Sequence, residues 1–97
     1  MYVNIPLFIM NFFVYIIQSA KYKKLYIGQT QDLEKRISDH NKGRSNYTKL
    51  YKPWGLLAYK VFDTRSEAMA VERKLKNLKS HKVIFEFIHK NNFIFFN

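Results

Sequence analysis

The chain contains no cysteine, which excludes disulfides and thiolate metal sites and sits most easily with an intracellular, cytoplasmic setting. Acidic residues are scarce: 7 Asp and Glu stand against 17 Lys and Arg, a formal charge of +10. A surplus of that size repels itself in a compact domain, so binding to a polyanion is its leading explanation. The basic residues run from Lys21 to Lys90, and the positive field therefore covers most of the molecule. Charge is absent altogether from Met1 to Ala20. Such a stretch is about as long as a membrane span. However, Asn4, Pro6, Asn11 and Gln18 interrupt it, and no basic region opens it as a signal peptide would require. A span is not expected, and an amino-terminal anchor at an anionic surface is only a minor alternative. Repeats and low-complexity segments are also missing, and 97 residues leave room for one modest core.

What is present is strongly patterned. Val14-Tyr15-Ile16 and Leu25-Tyr26-Ile27-Gly28 read as two strands of a hairpin, because β-branched and aromatic residues favour a pleated surface. Ser19, Ala20 and the lysines between them favour a turn. Thr30 is placed to cap a helix from about Gln31 to Asn41, with Leu33 and Ile37 as its buried stripe and Arg36 and His40 sharing the neighbouring face. Asn41 to Pro53 is a basic surface loop in which Lys42, Arg44 and Lys49 alternate with Tyr47 and Tyr51. Such a loop suits phosphate neutralisation with base stacking, and equally a plain solvated loop. Leu56 to Phe62 forms a third strand. A helix follows from Ser66, with Ala68, Val71, Leu75 and Leu78 inward, and another from about Ser80 to Ile88. The expected organisation is an apolar amino-terminal extension or arm over 1–9, a domain over 10–90 with Met1 or Met10 as the true start, and an aromatic tail over 91–97.

Tyr15 and Tyr26 on paired strands, followed in order by Arg36, His40 and Glu72, carry a resemblance to the GIY-YIG nuclease superfamily. Val14-Tyr15-Ile16 is a variant first half of its motif and Tyr26-Ile27-Gly28 a full second half. The resemblance runs from about Phe12 to about Leu78 and is closest to the small single-domain members. It implies an α+β fold, a three-stranded antiparallel sheet flanked by about three helices, with the reactive groups gathered on one exposed sheet face. It also implies a divalent-metal-dependent endonuclease acting on DNA; so small a domain has little surface for sequence readout, so nicked, branched or single-stranded forms are the expected substrates, with a monomer and no small-molecule cofactor expected.

By the same resemblance Glu72 would ligate Mg²⁺ or Mn²⁺, Arg36 would polarise the scissile phosphate, and Tyr26 would help deprotonate the attacking water. Tyr15 would orient the group and His40 would relay a proton. A single glutamate is physically adequate, since magnesium keeps several waters and often takes only one or two protein carboxylates. A phenol ionises near ~10 in solution, so the base needs cationic help. Two departures bear on this: Gln29 stands where some members have an assisting lysine, and the late phosphate-anchoring asparagine has only Lys76 or Asn77 as its nearest counterpart.

Each residue also has a plain structural reading. The tyrosines could simply cover a sheet face, Arg36 could lie along the helix surface, His40 could interact with the helix end, and Glu72 could pair with Lys76 four residues on. Their joint order favours the site. The alternative function is a nucleic-acid-binding module of the same fold that cleaves slowly or not at all.

Overall fold

The computed structural model describes residues 11–96; the proposed start at Met10 and the arm before it lie outside the described residues. The two apolar strings form the expected hairpin, β1 (Phe12–Ser19) and β2 (Leu25–Thr30), paired so that Tyr15 faces Gly28 and Ile17 faces Tyr26. β3 (Trp54–Phe62) lies antiparallel on the other side of β1, with an irregular register between Ile16 and Ile17. The sheet has four strands in the order β2-β1-β3-β4, not three. The addition is β4 (Ile94–Phe95), in which Phe95 pairs with Ala58 and Ile94 with Tyr59. Two residues carry no readable alternation, so this strand has no signature in the sequence.

Three helices complete the α+β fold: α1 (Leu33–Asn41), α2 (Arg65–Lys76) and α3 (His81–Lys90). α1 is capped by Asp32, whose side chain accepts from the Lys35 amide at 3.1 Å. Thr30, the expected cap, instead accepts from the Asp32 amide and orders the turn just before it. α2 begins one residue before the expected Ser66, because Thr64 accepts from the Glu67 amide. Ser80 caps α3 through Val83.

β1 is the central strand of a sheet covered on both faces, which explains why Val14, Tyr15, Ile16 and Ile17 are all buried. Val14 and Ile16 join Ile27 and Ala58 against Ala68 and Leu75 of α2 and Ile84 and Ile88 of α3. Tyr15 and Ile17 join Trp54 on the opposite face, under Leu33 and Ile37 of α1. Removing each such side chain from water contributes roughly 1.5–3 kcal/mol. The expectation of one exposed sheet face holding all the reactive groups is therefore corrected: both faces are occupied by helices.

Candidate active site

Alternation along β1 and β2 puts Tyr15, Tyr26 and Gly28 on the α1 side. The Tyr15 ring lies across Gly28, where a side chain would meet it: a Cβ there would stand 2.5 Å from the hydroxyl oxygen. The Tyr15 hydroxyl is 2.9 Å from Nε2 of His40, and Nδ1 of His40 is 2.8 Å from Oγ1 of Thr48. All three residues are fully buried or nearly so. His40 is thus a positioning group in the interior, behind Tyr15 and Tyr26, and not a side chain at the core's edge.

Arg36 comes down from α1 against both phenols, and its guanidinium interacts with the hydroxyls of Tyr15 and Tyr26. Burial pushes the Tyr15 hydroxyl up to about 12; the Arg36 hydrogen bond and charge pull the other way, while Tyr26 and Glu72 add to the rise. Partial burial alone would lower Arg36, but the hydrogen bond and charge of Tyr15, with Tyr26, leave it raised. His40 is pushed down to about 4, first by burial and then by the Arg36 charge, with Asp39 opposing. At neutral pH His40 is uncharged and Tyr15 keeps its proton. Arg36 can only donate, so it presents its N–H groups to the phenol oxygens, while the neutral imidazole is held at both nitrogens, Nε2 by the Tyr15 hydroxyl and Nδ1 by Thr48. The Tyr26 ring packs on His40 with centroids 5.0 Å apart and on Tyr15 at 6.5 Å.

Glu72 approaches from the other side of the sheet. Gln29, which alternates away from Gly28, donates through Nε2 to Oε1 of Glu72 at 2.7 Å, and Lys76 holds Oε2 at 3.0 Å. β2 is an edge strand, so the α1 group and the α2 carboxylate flank that edge from opposite faces of the sheet, within range for the Glu72 charge to act on Tyr15. The small cavity beside Glu72, about 350 Å³, is lined by Met69, Glu72, Arg73, Lys76 and Asn77. Among the described residues there is no group of three or more His, Cys, Asp or Glu side chains able to hold an ion. One partly exposed carboxylate beside an exchangeable lysine fits a hydrated magnesium or manganese that takes its other ligands from water and phosphate. It does not fit a metal that needs a protein cage.

The basic loop is more ordered than its composition implies. Arg44 is tied to Asp39 at 2.9 Å, and Lys35 shares the same carboxylate at 3.0 Å. The Lys35 hydrogen bond is the main cause of a lowered Asp39 pKa. Lys42 and Lys49 are exposed, and Tyr47 is half exposed with its ring 6.3 Å from that of Tyr26. Lys76 is engaged by Glu72. A larger cavity, about 790 Å³, lies elsewhere, between α1 and the sheet. Its apolar wall includes Phe13, Leu33, Ile37 and Tyr59, and its charged lining residues are Asp32 and Glu34, a poor match for phosphate.

Sequence reasoning gave three supporting residues no site role. Thr48 ends the Tyr15–His40 chain and also accepts the Trp54 indole N–H through its carbonyl at 2.8 Å. Asn41 accepts from the Trp54 amide at 2.6 Å and donates to the Trp54 carbonyl at 2.9 Å, fixing the end of α1 to β3. Gln29 orients Glu72; its only visible signal was its place directly after Gly28.

A family model described as the GIY-YIG catalytic domain matches residues 11–92. A UPF0213 protein of Streptococcus pyogenes serotype M5 is 41% identical over 69 residues, covering 70% of this chain and 74% of that protein. One from Staphylococcus saprophyticus is 39% identical over 71 residues, covering 72% of this chain and 85% of that protein. The solution NMR structure of a UPF0213 protein from Bacillus halodurans is 33% identical, with a TM-score of 0.53 over 82% of this chain and 84% of that one. Among the described residues, no helix is long and apolar enough to cross a membrane.

Proposed function

Because the chain belongs to the GIY-YIG catalytic-domain family, with UPF0213 proteins among its relatives, we propose that it is a divalent-metal-dependent endonuclease hydrolysing DNA phosphodiester bonds. The observation that carries this reading is the convergence of Arg36 on the hydroxyls of Tyr15 and Tyr26 within electrostatic reach of Glu72. Phosphodiester hydrolysis needs a base for the water, charge stabilisation at phosphorus and relief at the leaving oxygen. Arg36 binds a non-bridging phosphate oxygen. Tyr26, beside the Arg36 guanidinium, would act as the phenolate that takes the proton of the attacking water. Tyr15, protonated and fixed through His40, holds Arg36 and the phosphate in register. Glu72, oriented by Gln29, would hold Mg²⁺ or Mn²⁺, which when bound supplies charge relief at the phosphate and leaving oxygens. Lys42, Lys49 and Tyr47 border the site for the polynucleotide, and the +10 charge steers it there.

One observation favours the second reading, a binding module with slow or no cleavage: both Glu72 oxygens are already engaged, by Gln29 and Lys76. Labelled single-stranded, nicked, branched and duplex DNA incubated with Mg²⁺ or Mn²⁺ separates the two. Cleavage that disappears in Glu72→Ala and in Arg36→Ala supports the nuclease. A wild-type chain inert on all four substrates leaves the binding module.

A further inference from the structure

Four tyrosine rings run outward in sequence from the candidate site. Tyr26 contacts Tyr47 at 6.3 Å, Tyr47 contacts Tyr51 at 5.3 Å, and Tyr51 contacts Tyr22 edge-on at 5.4 Å. They come from three separate parts of the chain: β2, the short 3₁₀ turn Thr48–Tyr51 with the residue before it, and the β1–β2 turn. Two members are open to solvent, Tyr22 by 56% and Tyr47 by 50%. Tyr51 is partly buried and carries the Lys24 ammonium 4.9 Å from its ring centre.

This arrangement is built and not incidental. Buried Ser19 accepts from the amides of Lys21 and Tyr22 and donates to the Tyr51 carbonyl, so one hydroxyl ties the hairpin turn to the 3₁₀ turn. Ala20 donates to the Pro53 carbonyl at 2.9 Å and adds a second tie. The spacing of Tyr22 from Tyr51 is therefore held by the Ser19 hydroxyl and a backbone hydrogen bond. The segments that carry the rings have charge of one sign. Neither 20–31 nor 40–62 contains an Asp or Glu, while Lys21, Lys23, Lys24, Lys49 and Lys52 all lie exposed there. Exposed aromatic faces held rigidly among lysines match a polyanion that also presents flat rings. Duplex DNA keeps its base faces stacked inside and could use only the lysines.

We infer that Tyr47 and Tyr22 are stacking positions for unpaired bases of a polynucleotide strand, with Tyr51 as the pivot between them and Lys24 and Lys49 as phosphate contacts. This rests on the nuclease reading only in placing the reacting phosphate at the Tyr26 end; binding itself needs no chemistry. Tyr51 is a positioning residue, since Lys24 takes one of its faces.

The test is fluorescence anisotropy of the full chain with labelled oligothymidylate, oligouridylate, an abasic oligodeoxynucleotide and a blunt duplex, all in EDTA so that no hydrolysis occurs. Oligothymidylate or oligouridylate should bind more tightly than the abasic strand of equal charge. Tyr47→Ala and Tyr22→Ala should each weaken binding of the base-bearing strand roughly 5- to 100-fold while duplex and abasic binding change by less than about twofold. Tyr47→Trp should restore it. The two base-bearing strands show whether DNA or RNA is preferred, and either preference supports the track. Equal loss on all ligands, no loss, or full competition by polyglutamate would overturn it by showing a surface that reads charge alone. Failure of cleavage in the metal-replete assay does not affect these results, so the track and the nuclease reading fail separately.

Discussion

Tyr15 crosses over Gly28 so closely that a Cβ on residue 28 would lie 2.5 Å from its hydroxyl and 2.7 Å from Cζ. The glycine of the second half-motif is required by that contact. Gly28→Ala should displace the Tyr15 ring, break its bond to His40 and destabilise the fold by ~1–3 kcal/mol, the usual range for overpacking. Urea denaturation of Gly28→Ala, Tyr15→Phe and the double variant tests this. Because the phenol oxygen makes the closest clash, the double variant should be less destabilised than the sum of the singles. Strict additivity would refute the contact.

The buried histidine makes stability depend on pH in a stated direction. His40 takes a proton near 6.5 when unfolded but only at about 4 when folded, since burial and then Arg36 oppose its charge. Between those values the unfolded chain binds more protons, so stability falls as pH is lowered, by up to ~3 kcal/mol, and this contribution levels off below about pH 4. Asp39, held low chiefly by the Lys35 hydrogen bond, loses its contribution only as pH falls below the ordinary 3.8. Denaturation midpoints at pH 7, 5.5 and 4.5 report the first window. An NMR titration of His40 with a midpoint near 6.5 would contradict it.

Asn41 bonds both backbone groups of Trp54. Asn41→Ala removes both partners and should destabilise by ~2–4 kcal/mol, because unmet polar groups at a partly buried position are expensive. Asn41→Asp keeps the acceptor and should lose about half as much. The lone tryptophan provides the fluorescence signal for both unfolding curves.

If Tyr26 is the base, Tyr26→Phe should lower the cleavage rate roughly 10²- to 10⁴-fold with DNA affinity near normal. Single-turnover rates together with binding isotherms check the two parts. An unchanged rate assigns the base elsewhere.

Lys76 competes with any cation for Glu72. Its side chain is 52% exposed, so the ion pair is weak. Lys76→Met should raise Mn²⁺ affinity about twofold to fivefold, measured from the free-ion electron paramagnetic resonance signal. Unchanged or weaker binding would show that Lys76 does not shield the carboxylate.

Much of this was legible from local chemistry. The hairpin followed from Val, Ile and Tyr in two short strings, and α2 and α3 from apolar residues recurring at helical spacing. The cap of α1 was misplaced by two residues because Thr30 and Asp32 are both good capping residues, and only backbone geometry chooses between them. β4 was missed because Ile94 and Phe95 become a strand by finding a free edge on β3, which a two-residue segment cannot signal in advance.

The amino-acid sequence by itself determined the positive field, the paired strands, the helical faces and the order of Tyr15, Tyr26, Arg36, His40 and Glu72, since all of these depend on composition and short-range periodicity. Only the tertiary structure decided that His40 would be sealed inside, that Glu72 would arrive from the opposite side of the sheet through Gln29, and that Tyr22 would stand in line with Tyr47. Those relations depend on which face of the sheet each helix covers and on how distant turns are hydrogen-bonded together, and no local pattern encodes either.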